Sequence, residues 1–125
     1  MNRNMTEVIL KYIEETYGAS PEFLWKDLPD AAALRHPCGK WFGVWMRISR
    51  RKLGLAEEAP VEVLNLKRDP MLGLADGRRI FPAYHMNKEH WITVLLDGSV
   101  PFEELKGLIA MSYDMIENKR GCKKS

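Results

Sequence analysis

A chain of 125 residues and 14.5 kDa has the size of one domain. Its 46% hydrophobic fraction suffices for an ordinary core, and a net charge of +2 is too small for a protein that coats DNA by bulk charge. No apolar run approaches the ~20 residues of a membrane span, the amino end carries no secretory apolar stretch, and Cys38 and Cys122 fit no Cys-x-x-Cys spacing. Composition therefore disfavours a membrane protein, a disulfide scaffold and a zinc ribbon. The expectation is a small cytoplasmic domain.

In chain order, Thr6 to Tyr17 places Ile9, Tyr12, Ile13 and Tyr17 at helical spacing, with Gly18 as the natural stop. Phe23-Leu24-Trp25 reads as a short aromatic strand, and Leu34 to Cys38 as another before a turn at Gly39-Lys40. Trp41 to Ile48 predicts a long strand, followed by strands over Val61 to Lys67 and Trp91 to Leu96, with Asp69 to Leu74 as a short helix or turn. Asp97-Gly98-Ser99-Val100-Pro101 leads into a second helix, whose Glu103 and Glu104 suit the positive end of its dipole. Its apolar stripe is Phe102, Leu105, Leu108, Ile109, Tyr113 and Ile116. Residues 118–125 form a basic tail on a core of about 6–117, all within one domain over 1–125. A helix, consecutive strands and a helix predict an α+β domain with an antiparallel sheet.

Strict alternation puts Phe42, Val44, Met46 and Ile48 on one face of the long strand and Trp41, Gly43, Trp45 and Arg47 on the other. Ile92, Val94 and Leu96 likewise oppose Trp91, Thr93 and Leu95. With both helices on the aliphatic face, Trp41, Trp45 and Trp91 line an open face. That surface suits base stacking, a protein partner or a weak homodimer.

The second candidate is basic. No acidic residue occurs from Ala31 to Ala56, while Arg35, Lys40, Arg47, Arg50, Arg51 and Lys52 do. Arg50-Arg51-Lys52 falls on the loop after the long strand and reads either as a phosphate-binding wing or as a solvated hairpin tip. Arg78-Arg79 lies nearby in type, among Asp69 and Asp76. His85 and His90, in Tyr84-His85-Met86-Asn87-Lys88-Glu89-His90-Trp91, lack a third metal ligand, and no nucleophile–base motif or phosphate loop occurs. No metal, cofactor or catalytic residue is expected, and the reading is non-enzymatic.

The block Phe81-Pro82-Ala83-Tyr84-His85-Met86-Asn87-Lys88-Glu89-His90-Trp91, with Asp97-Gly98-Ser99 and Ser112-Tyr113, closely resembles the MmcQ/YjbR family. Pro21-Glu22-Phe23-Leu24-Trp25, Leu34-Arg35-His36, Lys40-Trp41-Phe42, Lys52-Leu53-Gly54-Leu55 and Leu66-Lys67-Arg68-Asp69-Pro70 extend the likeness over about Tyr17 to Tyr113. The resemblance implies a two-layer sandwich, similar to bacterial frataxin (CyaY-like), with both helices on one face of an antiparallel sheet. It also implies DNA binding by loop-and-strand wings. Glu7, Glu14 and Glu15, interrupted by Lys11, make a thin acidic ridge that does not suit iron binding. The expected function is weak, sequence-independent DNA binding through phosphate contacts by Arg47, Arg50, Arg51 and Lys52, with Lys40 and Lys88 contributing. The alternative is protein interaction or self-association through Trp41, Trp45 and Trp91.

Overall fold

The structure is a computed structural model that describes residues 5–68, 76–84, 86 and 90–117. The expected turn at Asp69 to Leu74, the residues His85 and Lys88, and the basic tail lie outside the described residues. Helix α1 spans Met5–Tyr17 and α2 spans Phe102–Glu117. Gly18 ends α1 with a φ of 71°, its N–H donating to the Glu14 carbonyl at 2.9 Å, as the left-handed terminator requires.

Five strands, β1 (Ala31–Arg35), β2 (Trp41–Ser49), β3 (Pro60–Lys67), β4 (Ile80–Pro82) and β5 (Trp91–Leu95), form one antiparallel sheet in the order β1-β2-β3-β5-β4. β4 was not anticipated, because three residues are too few to show a period. Phe23 to Trp25 does not form the expected strand, and only Glu22 bridges to Ala33. A short 3₁₀ helix over Arg50–Leu53 replaces the expected loop after β2. The fold is α+β, as expected.

Both helices pack on one sheet face. Ile9, Ile13, Leu105 and Ile109 meet Phe42, Leu64, Leu66, Ile92 and Val94 in the main core. Val44 and Met46 lie on the opposite face, against the expectation from simple alternation. The cause is a register shift: Leu34 pairs with Gly43 but Arg35 pairs with Trp41, so Phe42 has no partner on β1. This extra residue turns Phe42 and Gly43 both towards the helices and reverses the alternation beyond them. Gly43 suits this close packing, since a Cβ there would lie 3.1 Å from Leu34 Cδ1 and force that side chain to shift.

The second face is not open. Val44, Met46, Val61, Val63, Phe81 and Leu95 are buried there, packed against Trp25, Leu53, Leu55, Tyr84 and Met86. A buried polar cluster ties one of these covering loops down: Thr93 Oγ1 donates to Asn65 Oδ1, Asn65 Nδ2 donates to the Tyr84 carbonyl, and the Tyr84 N–H donates to Thr93 Oγ1. Hydrogen bonding inside the apolar layer offsets the desolvation of these groups.

Candidate functional site

The register of β2 and β3 sorts the expected site residues into two groups at opposite ends of the sheet. Arg47 and Ser49 pair with Glu62 and Pro60, while Gly43 pairs with Leu66 at the other end. The ten residues separating Lys40 from Arg50 correspond to about 30 Å of strand. Lys40 therefore does not join the basic wing.

At the wing, the backbone carries a tight turn built largely by its own side chains. The Ser49 hydroxyl accepts the Arg51 N–H and donates to the Glu58 carbonyl at 3.0 Å. Arg50 faces inward: its Nη1 donates to the carbonyls of Ala59 (3.3 Å) and Pro60 (2.9 Å), and its guanidinium lies 3.9 Å from both Glu57 and Asp97. Arg50 is thus a fastener rather than a free phosphate contact. Arg51 pairs with Glu58 at 3.4 Å, both well exposed. Arg47 and Lys52 are exposed, and among the described residues neither forms an ion pair. The acidic partners Glu57 and Glu58 come from the far arm of the hairpin, just beyond the acid-free stretch. Arg79 is likewise paired, with Asp76 at 3.5 Å and Glu104 at 3.4 Å.

Asp97 joins the wing to the entry of α2. Burial by itself raises its pKa, but donation from the Ser99 hydroxyl and N–H and the charge of Arg50 outweigh it, so the carboxyl is held below its ordinary value.

The three tryptophans do not share a surface. Trp45 lies on the helix side of the sheet, where its indole N–H donates to Glu62 at 3.2 Å and its ring meets Phe23 edge-on. Trp91 is buried, with Lys67 Nζ 5.2 Å from its ring centroid. Trp41 is half-buried against Trp25, their centroids 5.4 Å apart. The expected open aromatic face is corrected on both counts: the bulge moves Trp45 away, and loops cover much of what remains.

Trp41 and Trp91 nevertheless come together. With Gly39, Lys40, Lys67 and Ile116 they line an open cleft of about 410 Å³ at the end of the sheet. Lys67 was missed among the candidates, although the alternation of Val61, Val63 and Asn65 places it on the tryptophan side, and it pairs with Trp91. The β1–β2 turn positions Lys40: His36 N–H donates to the Lys40 carbonyl, and Gly39 takes a φ of 98° that a side chain would resist.

Beside this cleft, His36 is buried. Its Nδ1 accepts the Cys38 N–H, which leaves Nε2–H to donate to the Glu117 carboxylate at 2.5 Å, while Tyr113 lies against the ring. Cys38 is disulfide-bonded, so wide sequence spacing did not preclude a cross-link; Cys122 lies outside the described residues. His90 is exposed, its carbonyl accepting the Arg68 N–H. Among the described residues no group of three or more metal-ligating side chains occurs, and no helix is long and apolar enough to cross a membrane.

The chain is 40% identical over 112 residues to the Bacillus subtilis protein YyaQ, covering 87% of this chain and 95% of YyaQ. It is 46% identical over 37 residues to YjbR of Escherichia coli, covering 30% and 31%. Among solved structures, a Pseudomonas syringae protein has a TM-score of 0.84 at 39% identity, with 92% of this chain and 98% of that one covered. The Deinococcus radiodurans protein DR2400 has a TM-score of 0.68 at 25% identity, with 95% and 84% covered. The YjbR family model matches residues 14–115, most of the described fold, and the chain belongs to the YjbR family.

Proposed function

We propose that the protein is a non-enzymatic, cytoplasmic nucleic-acid-binding protein that contacts DNA phosphates through Arg47, Arg51 and Lys52. The observation that supports this reading is the wing itself: Arg50 pins the turn through the Ala59 and Pro60 carbonyls, so the neighbouring exposed cations project from a fixed support. Arg51 exchanges Glu58 for a phosphate at little cost, because an exposed ion pair contributes about 1 kcal/mol or less. With three cations and two acids nearby, binding is weak and carries no base readout.

The test is salt-titrated binding of duplex DNA by the parent and by the combined Arg47→Gln, Arg51→Gln and Lys52→Gln variant. Each lost phosphate contact lowers the slope of log affinity against log salt by about one unit, similarly on unrelated sequences. Equal binding by parent and variant at every salt concentration overturns the wing. Leaving Arg50 in place avoids confusing lost contacts with a loosened turn.

A second reading, protein interaction, is favoured by a different surface from the one expected. Phe23, 60% exposed, meets Trp45 edge-on, and its chain neighbour Leu24 is 44% exposed. Association abolished by Phe23→Ser but not by the wing variant favours this reading.

A further inference from the structure

A row of cavities begins at the end of the sheet, beside Ile116 of α2, and follows β2 along the face away from the helices. The cationic cleft of Lys40, Lys67, Trp41 and Trp91 comes first. Trp41 is also a wall of the next cavity, about 250 Å³, whose other walls are Trp25, Leu28, Val44, Met46 and Met86. Leu28 and Met46 in turn border a third, of about 160 Å³, which holds Asp27, Asp30, Arg47 and Tyr84. The side-chain chemistry therefore changes along the strand from two ammonium groups, through an indole and thioether lining, to a mouth with two carboxylates and one guanidinium.

We infer that this row is a binding site for a small amphipathic monoanion: a carboxylate or phosphate head at Lys40 and Lys67, and an apolar body over Trp41 and Met46. Charge sets the orientation. Among the described residues the first cleft is lined by two lysines and no carboxylate, whereas at the far mouth Asp27 and Asp30 outnumber the single cation Arg47 and disfavour an anionic head. Among the described residues the middle cavity has no charged side chain to neutralise a second phosphate. This argues against a nucleic-acid strand, which carries a charge at every nucleotide, and for a ligand with one charge and one apolar body. From Trp41 to Met46 the strand runs about 16 Å, a span suited to a medium-length chain. A few polar groups fixing the end of a mainly apolar ligand is the usual composition of such a site. Lys67 is held in place by its own backbone, since its N–H donates to Ser112 at 2.9 Å, and by its position over Trp91. The head-group cleft lies at the other end of the sheet from Arg51 and Lys52 of the wing, and of the wing's cations Arg47 alone borders the row, at the third cavity.

The probe is decanoate, followed by calorimetry and by tryptophan fluorescence, with octanoate, decanol, inorganic phosphate and adenosine monophosphate as comparators. Decanoate binds measurably below about 1 mM, and octanoate binds about tenfold more weakly for its two missing methylenes. Decanol and inorganic phosphate, each lacking half of the ligand, bind more weakly than decanoate. The Lys40→Gln/Lys67→Gln variant reduces decanoate affinity at least about fivefold with little effect on decanol. Should that pair of changes unfold the protein in a thermal melt, Leu28→Asp serves instead, because Leu28 is 49% exposed and its replacement leaves the core intact. It weakens decanoate through the apolar body. The Arg51→Gln/Lys52→Gln variant, whose two positions line none of the three cavities, leaves decanoate binding unchanged, whatever it does to DNA.

Silence with decanoate up to about 1 mM overturns the site, as does decanol binding as tightly as decanoate. Binding of adenosine monophosphate in preference to decanoate also overturns it, and assigns the cleft to a nucleotide.

Discussion

Ser112 illustrates how one hydroxyl decides a local arrangement. The bulge at Phe42 interrupts the ladder between β2 and β3 where Phe42 would next face Lys67. Ser112, buried on α2, occupies that place: its hydroxyl donates to the Phe42 carbonyl at 2.5 Å and accepts the Lys67 N–H at 2.9 Å. The same contact docks α2 on the sheet and holds Lys67 at the cationic cleft. Ser112→Ala leaves a buried donor and a buried acceptor without this partner, a loss of about 2–3 kcal/mol in stability. Urea unfolding measures it. A change below about 0.5 kcal/mol would show that water or a shifted strand replaces the hydroxyl.

At the scale of elements, the wing is a turn held by one side chain while its neighbours remain available. Arg50→Gln removes donors to two carbonyls and the charge beside Asp97, lowering stability by about 1–2 kcal/mol. Lys52→Gln, at an exposed site, changes stability by less than about 0.5 kcal/mol. Thermal melts of the two variants separate the roles, and equal effects contradict the division. The sequence does not distinguish these adjacent basic residues, because their acceptors lie across the hairpin. Other parts of the fold were legible. The stripes of α1 and α2 each bury one face through a fixed period, and the alternation of β5 placed the helix-facing Ile92 and Val94 correctly. The period-two argument failed in β2 because a single extra residue reverses every side chain after it, and nothing around Phe42-Gly43 but the glycine hints at it. The covering of the second face escaped for another reason: Trp25, Tyr84 and Met86 reach it from aperiodic loops.

Across the whole molecule, pH acts on a few carboxyls and one phenol in opposite directions. Asp76 Oδ1 accepts the N–H groups of Arg79, Arg78 and Ile80, and these bonds hold its carboxyl well below the usual carboxylate range. Asp97 is also held low. A depressed folded-state pKa gives stability that is present above the unfolded value, about 4, and is lost as pH falls through the folded value. Tyr17 behaves oppositely: burial, reinforced by Tyr12, pushes its phenol up to about 12. Its contribution is present below the unfolded value of about 10 and is lost as pH rises through the folded one. The melting temperature should therefore fall at both extremes, through different groups. Asp76→Asn keeps an acceptor oxygen but cannot titrate, so its melting curve lies below the parent's at pH 7 and the two converge below about pH 4. Tyr17→Phe loses less stability than the parent between about pH 10 and pH 12. Parallel pH profiles for Asp76→Asn and parent would remove Asp76 from the acid limb, and parallel alkaline profiles for Tyr17→Phe would do the same for Tyr17.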